Sequence, residues 1–150
     1  SLAMSMEVPE GPYEVPLGKA AVRRSGKDLT IVAISRMVHE AMSAADKLAD
    51  SGLDVEVIDA RSVSPFDTET VVSSIKKTHR ALIVHEAVKF GGFGGEIAAQ
   101  IQEEAFDYLD APIMRVGAPF CPVPFSPALE QIYMPNADAI VAKVKETLEL

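Results

Sequence analysis

Apolar residues in this chain fall into two patterns, compact runs and spaced stripes. Thr30–Ser35 (TIVAIS), Val55–Ile58 (VEVI), Ala81–Val84 (ALIV) and Ile113–Val116 (IMRV) are short, largely apolar runs bounded by turn residues. Runs of that length and β-branched content predict buried strands, the second reaching about Asp59. Between them the spacing changes to every three or four residues. Val38, Ala41, Met42, Ala45, Leu48 and Ala49 form a stripe over Met37–Ala49, closed by Gly52 as a cap. Val71, Val72 and Ile75 form the inward side of a helix over Thr68–Thr78. Asp67 is its N-cap after the turn Ser64-Pro65-Phe66, and Lys76 and Lys77 suit its last turn. Ile97, Ala98, Ile101, Ala105 and Leu109 mark a third stripe. Ile140, Val141, Val144 and Leu148 mark a fourth, starting at Asn136 or Asp138. Strand and helix alternating in this way predict an α/β fold with a mostly parallel sheet. Such a sheet presents ligand-binding groups at the carboxyl ends of its strands.

The ends of the pattern differ from its middle. Ser1–Met6 has no periodicity and reads as a cloning remnant or a disordered start. Glu7–Lys19 carries Pro9, Pro12 and Pro16, which favour extended chain, and reads as an interdomain linker or a disordered terminus. Residues 20–150 then form one domain. Gly117–Pro127 holds four prolines, too many for a helix or an inner strand.

Composition narrows the function classes. The 150 residues are 48% hydrophobic and 24% charged, as in a globular domain, and the formal net charge is −8. That balance argues against nucleic acid and anionic membranes as partners and admits a basic protein. No apolar run approaches the roughly 20 residues needed to span a bilayer. Cys121 is the lone cysteine, so neither a disulfide framework nor a Cys-based metal site is expected. The expected compartment is a cytoplasm or a mitochondrial matrix.

Candidate chemistry is sparse. His85 and Glu86 follow the third strand, where an imidazole beside a carboxylate could act as acid or base. The competing reading is a histidine packed at the sheet edge or in a subunit contact. Gly91-Gly92-Phe93-Gly94-Gly95 precedes a helix and suggests a phosphate cradle. Ile97 stands where a dinucleotide fingerprint needs its third glycine, and Glu96 would repel phosphate. A tight turn with close helix–sheet packing fits that loop better. A free-standing flavodoxin-like protein binding a nucleotide or phosphate there is the alternative function. His39, His79 and His85 lack metal-ligand spacing. Arg61, at the end of the second strand, could hold a carboxylate or phosphate, and pairing with an acid at an interface is the preferred reading.

Several stretches resemble one family. Gly26-Lys27-Asp28-Leu29-Thr30-Ile31-Val32 is similar to the start of the C-terminal domain of transketolase-like, thiamine-diphosphate enzymes. So are Met37-Val38, Ala44-Ala45, Leu48, Gly52, Val55-Glu56-Val57-Ile58-Asp59-Ala60-Arg61, Pro65-Phe66-Asp67 and Lys77-Thr78 with Arg80. The leader resembles the segment before that domain in β subunits of 2-oxo acid dehydrogenase first components. Val84-His85-Glu86-Ala87 with Gly91-Gly92-Phe93 is similar to the branched-chain type. Ala118-Pro119-Phe120 and the stretch from Pro122 to Glu130 are similar to the acetoin and pyruvate types.

The resemblance implies a three-layer α/β/α sandwich whose mixed sheet of about five strands has one antiparallel member. A short strand near Ala20–Arg24 would supply it. It implies a domain for assembly, with no catalytic, cofactor-binding or metal-binding residue of its own. Thiamine diphosphate and magnesium belong to other domains of the parent enzyme, which decarboxylates a 2-oxo acid and acylates a lipoyl group. Implied partners are the α subunit, a second β subunit and the subunit-binding domain of the acyltransferase core. His85 and Glu86 become candidates for the active-site mouth. Glu146 and Glu149 become candidate contacts for a basic subunit-binding domain. Self-association of the isolated domain is also expected.

Overall fold

The computed structural model describes residues 18–88, 92–118 and 135–149. The leader through Leu17, Cys121 and most of Gly117–Pro127 lie outside them. Five strands form one sheet: β1 (Ala21–Arg24), β2 (Leu29–Ala33), β3 (Val55–Asp59), β4 (Ala81–Val88) and β5 (Met114–Ala118). Their spatial order is β1-β3-β2-β4-β5. β1 pairs antiparallel with β3, and the other pairs are parallel. The short antiparallel strand implied by the resemblance is therefore present.

Helices cover both faces. α1 (Met37–Ala49) and α4 (Ala137–Thr147) pack on one side, and α2 (Thr68–Thr78) and α3 (Phe93–Ala105) on the other. A 3-10 turn, Phe106–Tyr108, ends α3. Burial on both faces explains why the central strands read as continuous apolar runs. All five residues of β2 are buried. Leu29, Ile31 and Ala33 join the α1/α4 core, while Val32 joins the α2/α3 core. Asp67 and Asn136 cap α2 and α4, accepting from the Thr70 and Ala139 N–H groups. Gly52, at φ +82°, lies in the turn beyond α1.

Several boundaries differ from the sequence pattern by a residue or two, and α3 stops at Ala105, short of Leu109 in its stripe; two differences matter most. β2 stops at Ala33, because Ser35 takes φ +60° and turns the chain into α1. β4 continues four residues past its apolar run, to Val88. His85 and Glu86 therefore lie inside a strand and not in the loop after it. The apolar run ended at a polar residue, but the strand did not, because a glycine on α3 leaves room for the imidazole.

Candidate functional site

Alternation along β4 puts Ala81, Ile83 and His85 on the α2/α3 face. His85 is fully buried there. Its ring lies 5.1 Å from that of Phe93, tilted by 42°. A Cβ built on Gly94 would sit 2.2 Å from His85 Nε2. Gly94 is therefore the residue that admits the histidine, and the packing reading of the glycine loop holds at this position. Gly91 lies outside the described residues. Glu96, in the first turn of α3, accepts a hydrogen bond from Gln100 at 3.1 Å. Glu86 is half-buried; its Oε1 is enclosed, with no hydrogen-bond partner among the described residues. The structure thus joins His85 to Gly94 and Phe93, and gives the imidazole no solvent-facing edge for acid–base work.

A second polar cluster lies on the same face and was invisible in the sequence. Glu56 is the inward residue of β3 between Val55 and Val57, only 3% exposed. Its Oε1 accepts from the Gly26 N–H at 3.1 Å and from Lys77 at 2.5 Å, and its Oε2 accepts from Ser74 Oγ at 2.5 Å. Thr30 Oγ1 lies 2.6 Å from both Ser74 Oγ and Thr78 Oγ1. Because the Ser74 hydroxyl donates to Glu56, Thr30 donates to Ser74 and accepts from Thr78. Burial alone would raise the Glu56 pKa, but hydrogen bonds from Lys77, Ser74 and Gly26 outweigh it and hold the group below its ordinary 4.5. Gly26 is required at its position, since a Cβ would fall 2.3 Å from the Val55 carbonyl carbon. An open groove of about 550 Å³ lies above the cluster, edged by Lys19, Ser25, Thr70 and Lys77. The Glu56 carboxylate is already saturated by internal donors, so the cluster ties β2, β3, α2 and the turn between β1 and β2 together. The only sequence signal was a glutamate in a run of strand residues.

Asp67 joins the start of the domain, just before β1, to α2. It accepts from the Ala20 N–H at 2.9 Å and from the Thr70 N–H and hydroxyl at 3.1 and 2.6 Å. Burial opposes its charge, but the Thr70 hydroxyl, the two N–H donors and nearby Lys19 keep its pKa below the ordinary 3.8.

The remaining candidates are spread over the surface. Glu146 pairs with Lys143 at 2.9 Å, so part of its charge is already engaged. Glu149 follows α4 at φ +58°. His39 is exposed on α1, and His79 Nδ1 lies 2.8 Å from the Tyr108 carbonyl oxygen. A larger acidic face lies at the end of α3, where Phe106 is 67% exposed. Glu103, Asp107 and Asp110 surround it, and a groove of about 560 Å³ runs from Phe106 to Ile113. Among the described residues no group of three His, Cys, Asp or Glu side chains is placed to hold a metal. No helix among them is long and apolar enough to cross a membrane.

Comparison with known proteins agrees with this architecture. The chain is 45% identical, over 99% of its length, to the β subunit of acetoin:2,6-dichlorophenolindophenol oxidoreductase from Bacillus subtilis. It is 43% identical over 95% of its length to the pyruvate dehydrogenase E1 component subunit beta of the same organism. It spans 43% and 44% of those two relatives. A split gene transketolase, solved as an inactive β4 tetramer, matches with TM-score 0.80 at 31% identity, over 98% of this chain and 46% of that one. A Pichia stipitis transketolase shares the fold, with TM-score 0.56 at 14% identity, over 88% of this chain and 18% of that one. The free-standing flavodoxin-like alternative finds no support among these relatives. The transketolase C-terminal domain model matches residues 18–140, covering β1 through the start of α4, and the chain belongs to that family.

Proposed function

We propose that this chain is the C-terminal assembly domain of the β subunit of a 2-oxo acid dehydrogenase first component. The parent reaction is thiamine-dependent oxidative decarboxylation of a 2-oxo acid with acyl transfer to lipoyl. The observation that carries the reading is the 45% identity to an acetoin oxidoreductase β subunit over essentially the whole chain, within 43% of that relative's length. The buried, glycine-packed His85 also supports it, because a sealed imidazole serves packing better than proton transfer. Thiamine diphosphate and magnesium are held elsewhere in the parent, and this chain alone binds neither. Isothermal titration of the chain with thiamine diphosphate and magnesium should give no heat of binding. A micromolar or tighter site would overturn the reading.

The domain's partners in this reading are the α subunit, a second β subunit and the basic subunit-binding domain of the acyltransferase. The acidic face around Phe106 supports the last of these, since it offers an apolar anchor inside a negative rim. Reversing Asp107 and Asp110 should weaken that docking more than reversing Glu146 and Glu149, because Lys143 already engages Glu146. The reverse order in a binding titration would return the contact to the tail.

A further inference from the structure

The open groove of about 550 Å³ above the Glu56 cluster runs between the edge strand β1 and α2. Lys19 and Val22 form one wall, and Thr70, Ser73 and Lys77 form the other. Glu56, at the floor, is already saturated, so the walls decide what the groove can hold. Val22 is 51% exposed, a branched apolar side chain facing solvent on an edge strand. Ser73 makes no hydrogen bond among the described residues, and Lys77 gives Glu56 one of its three donors.

The chain enters the domain beside this groove, and its entry is fixed. Gly18 takes φ +73°, and a Cβ there would fall 2.9 Å from Pro65 Cγ, so its backbone lies against that ring. The Ala20 N–H is held by the Asp67 carboxylate at 2.9 Å. Lys19, between the two anchors, lines the groove. The residues before Gly18 are thus joined to the groove's rim, and no distant segment has to be recruited to fill it.

Their composition suits the walls. Pro12–Leu17 reads PYEVPL, with Tyr13, Val15 and Leu17 at every second position. In an extended chain, which the prolines favour, that spacing puts the three apolar side chains on one face. Such a chain makes no hydrogen bonds within itself, so its carbonyls can accept from Ser73 and Lys77. Residues 7–17 carry three glutamates and no cation, whereas the rim of the groove carries Lys19 and Lys77 against Glu69 alone. The lengths agree as well. Val15 is four residues, about 12 Å of extended chain, before Lys19. Ser73 is six residues, about 9 Å along the helix, beyond Asp67.

We propose that this groove is the seat of the chain's own segment Pro12–Leu17, laid along α2 over Val22. The inference stands on the groove and the two anchors and does not need the assembly reading above. Where that reading holds, the seated segment gives the connection to the rest of the parent subunit a fixed path.

The test is a double-mutant cycle in the full 150-residue chain. One arm replaces Tyr13, Val15 and Leu17 together by Ser, and the other is Val22→Ser. Each should lower the Tm by about 3 °C, and the two together should also lower it by about 3 °C, because both break the same contact. Amide hydrogen exchange at Glu14 and Val15 should be slowed about tenfold or more relative to a free peptide of the same sequence, and Val22→Ser should remove the protection. A wild-type Tm in the leader variant, additive losses, or unprotected amides would overturn the inference and leave the assembly reading standing. Repeating the cycle at a tenfold higher protein concentration should give the same coupling. Coupling that grows with concentration would put a second copy in the groove and would also overturn it.

Discussion

The two faces of the sheet are built on different principles. Against α1 and α4 the sheet presents Leu29, Ile31, Ala33, Val55, Val57, Leu82 and Val84, an apolar surface met by apolar helix stripes. Against α2 and α3 the same strands present Thr30, Glu56 and His85 among their aliphatic residues. The first face is held by burial, which is non-directional and tolerant of repacking. The second adds hydrogen bonds and one close glycine contact, which depend on geometry and fail when a single group is displaced. Asp67 and the turn at Arg61, with φ +59°, also border this side, next to Ala20 and the leader. The domain keeps its generic packing on one face and its position-specific contacts on the other.

The largest expected break is at Gly94. Gly94→Ala puts a methyl against the fully buried His85 ring and should cost about 3 kcal/mol in urea unfolding. Gly95→Ala, one residue on in the same helix, meets only the far end of the Arg115 side chain at 3.3 Å and should stay within about 0.5 kcal/mol of wild type. Equal costs for the two would mean that His85 is not tightly seated.

Glu56→Gln comes next. It removes the charge that Lys77 answers and turns one acceptor into a donor facing an existing donor. The expected loss is about 2 kcal/mol, checked by the same unfolding curves. A smaller effect separates neighbours on one strand. Thr30→Val keeps the shape but removes the two hydroxyl bonds to Ser74 and Thr78, which retain Glu56 and the Arg80 carbonyl as acceptors, for about 1.5 kcal/mol. Ile31→Leu, facing α1, should cost under about 1 kcal/mol. A reversed order of these two would erase the distinction between the faces.

Acid should act through the polar face as well. Glu56 and Asp67 have folded-state pKa values below their ordinary 4.5 and 3.8. A depressed carboxylate contributes stability that is fully present above its ordinary pKa and is lost as pH falls through the folded value. Wild-type stability should therefore decline below about pH 4.5, and Glu56→Gln should show a shallower decline. Parallel curves for the two proteins would assign the acid sensitivity elsewhere.

Most of the fold was legible along the chain, and the candidate site was not. The four helices appear at their predicted stripes, except that α3 ends at Ala105 before Leu109 and Ala49 of α1 is exposed, and Asp67 and Asn136 cap as their residue types suggest. The four parallel strands lie within two residues of their apolar runs at every end but one. The exception is the far end of β4, because an apolar-run rule stops at His85 while the strand does not. β1, Ala21–Arg24, has no apolar run and was suggested only by family resemblance, since an edge strand of four residues buries too little to leave a periodic signal. Glu56 passed unnoticed as a candidate because its partners, Gly26, Ser74 and Lys77, lie 30, 18 and 21 residues away.

Sequence alone determined the strand–helix alternation and the caps, because hydrophobic periodicity and capping act over a few residues. It also carried the family resemblance, through local motifs such as Val55–Arg61. Tertiary structure decided which face of the sheet would be polar, that His85 would be sealed by Gly94, and that Arg61 would sit in a turn at positive φ. Each of those depends on groups brought together across the chain, where a distance of a few tenths of an ångström determines whether a contact holds the fold or breaks it.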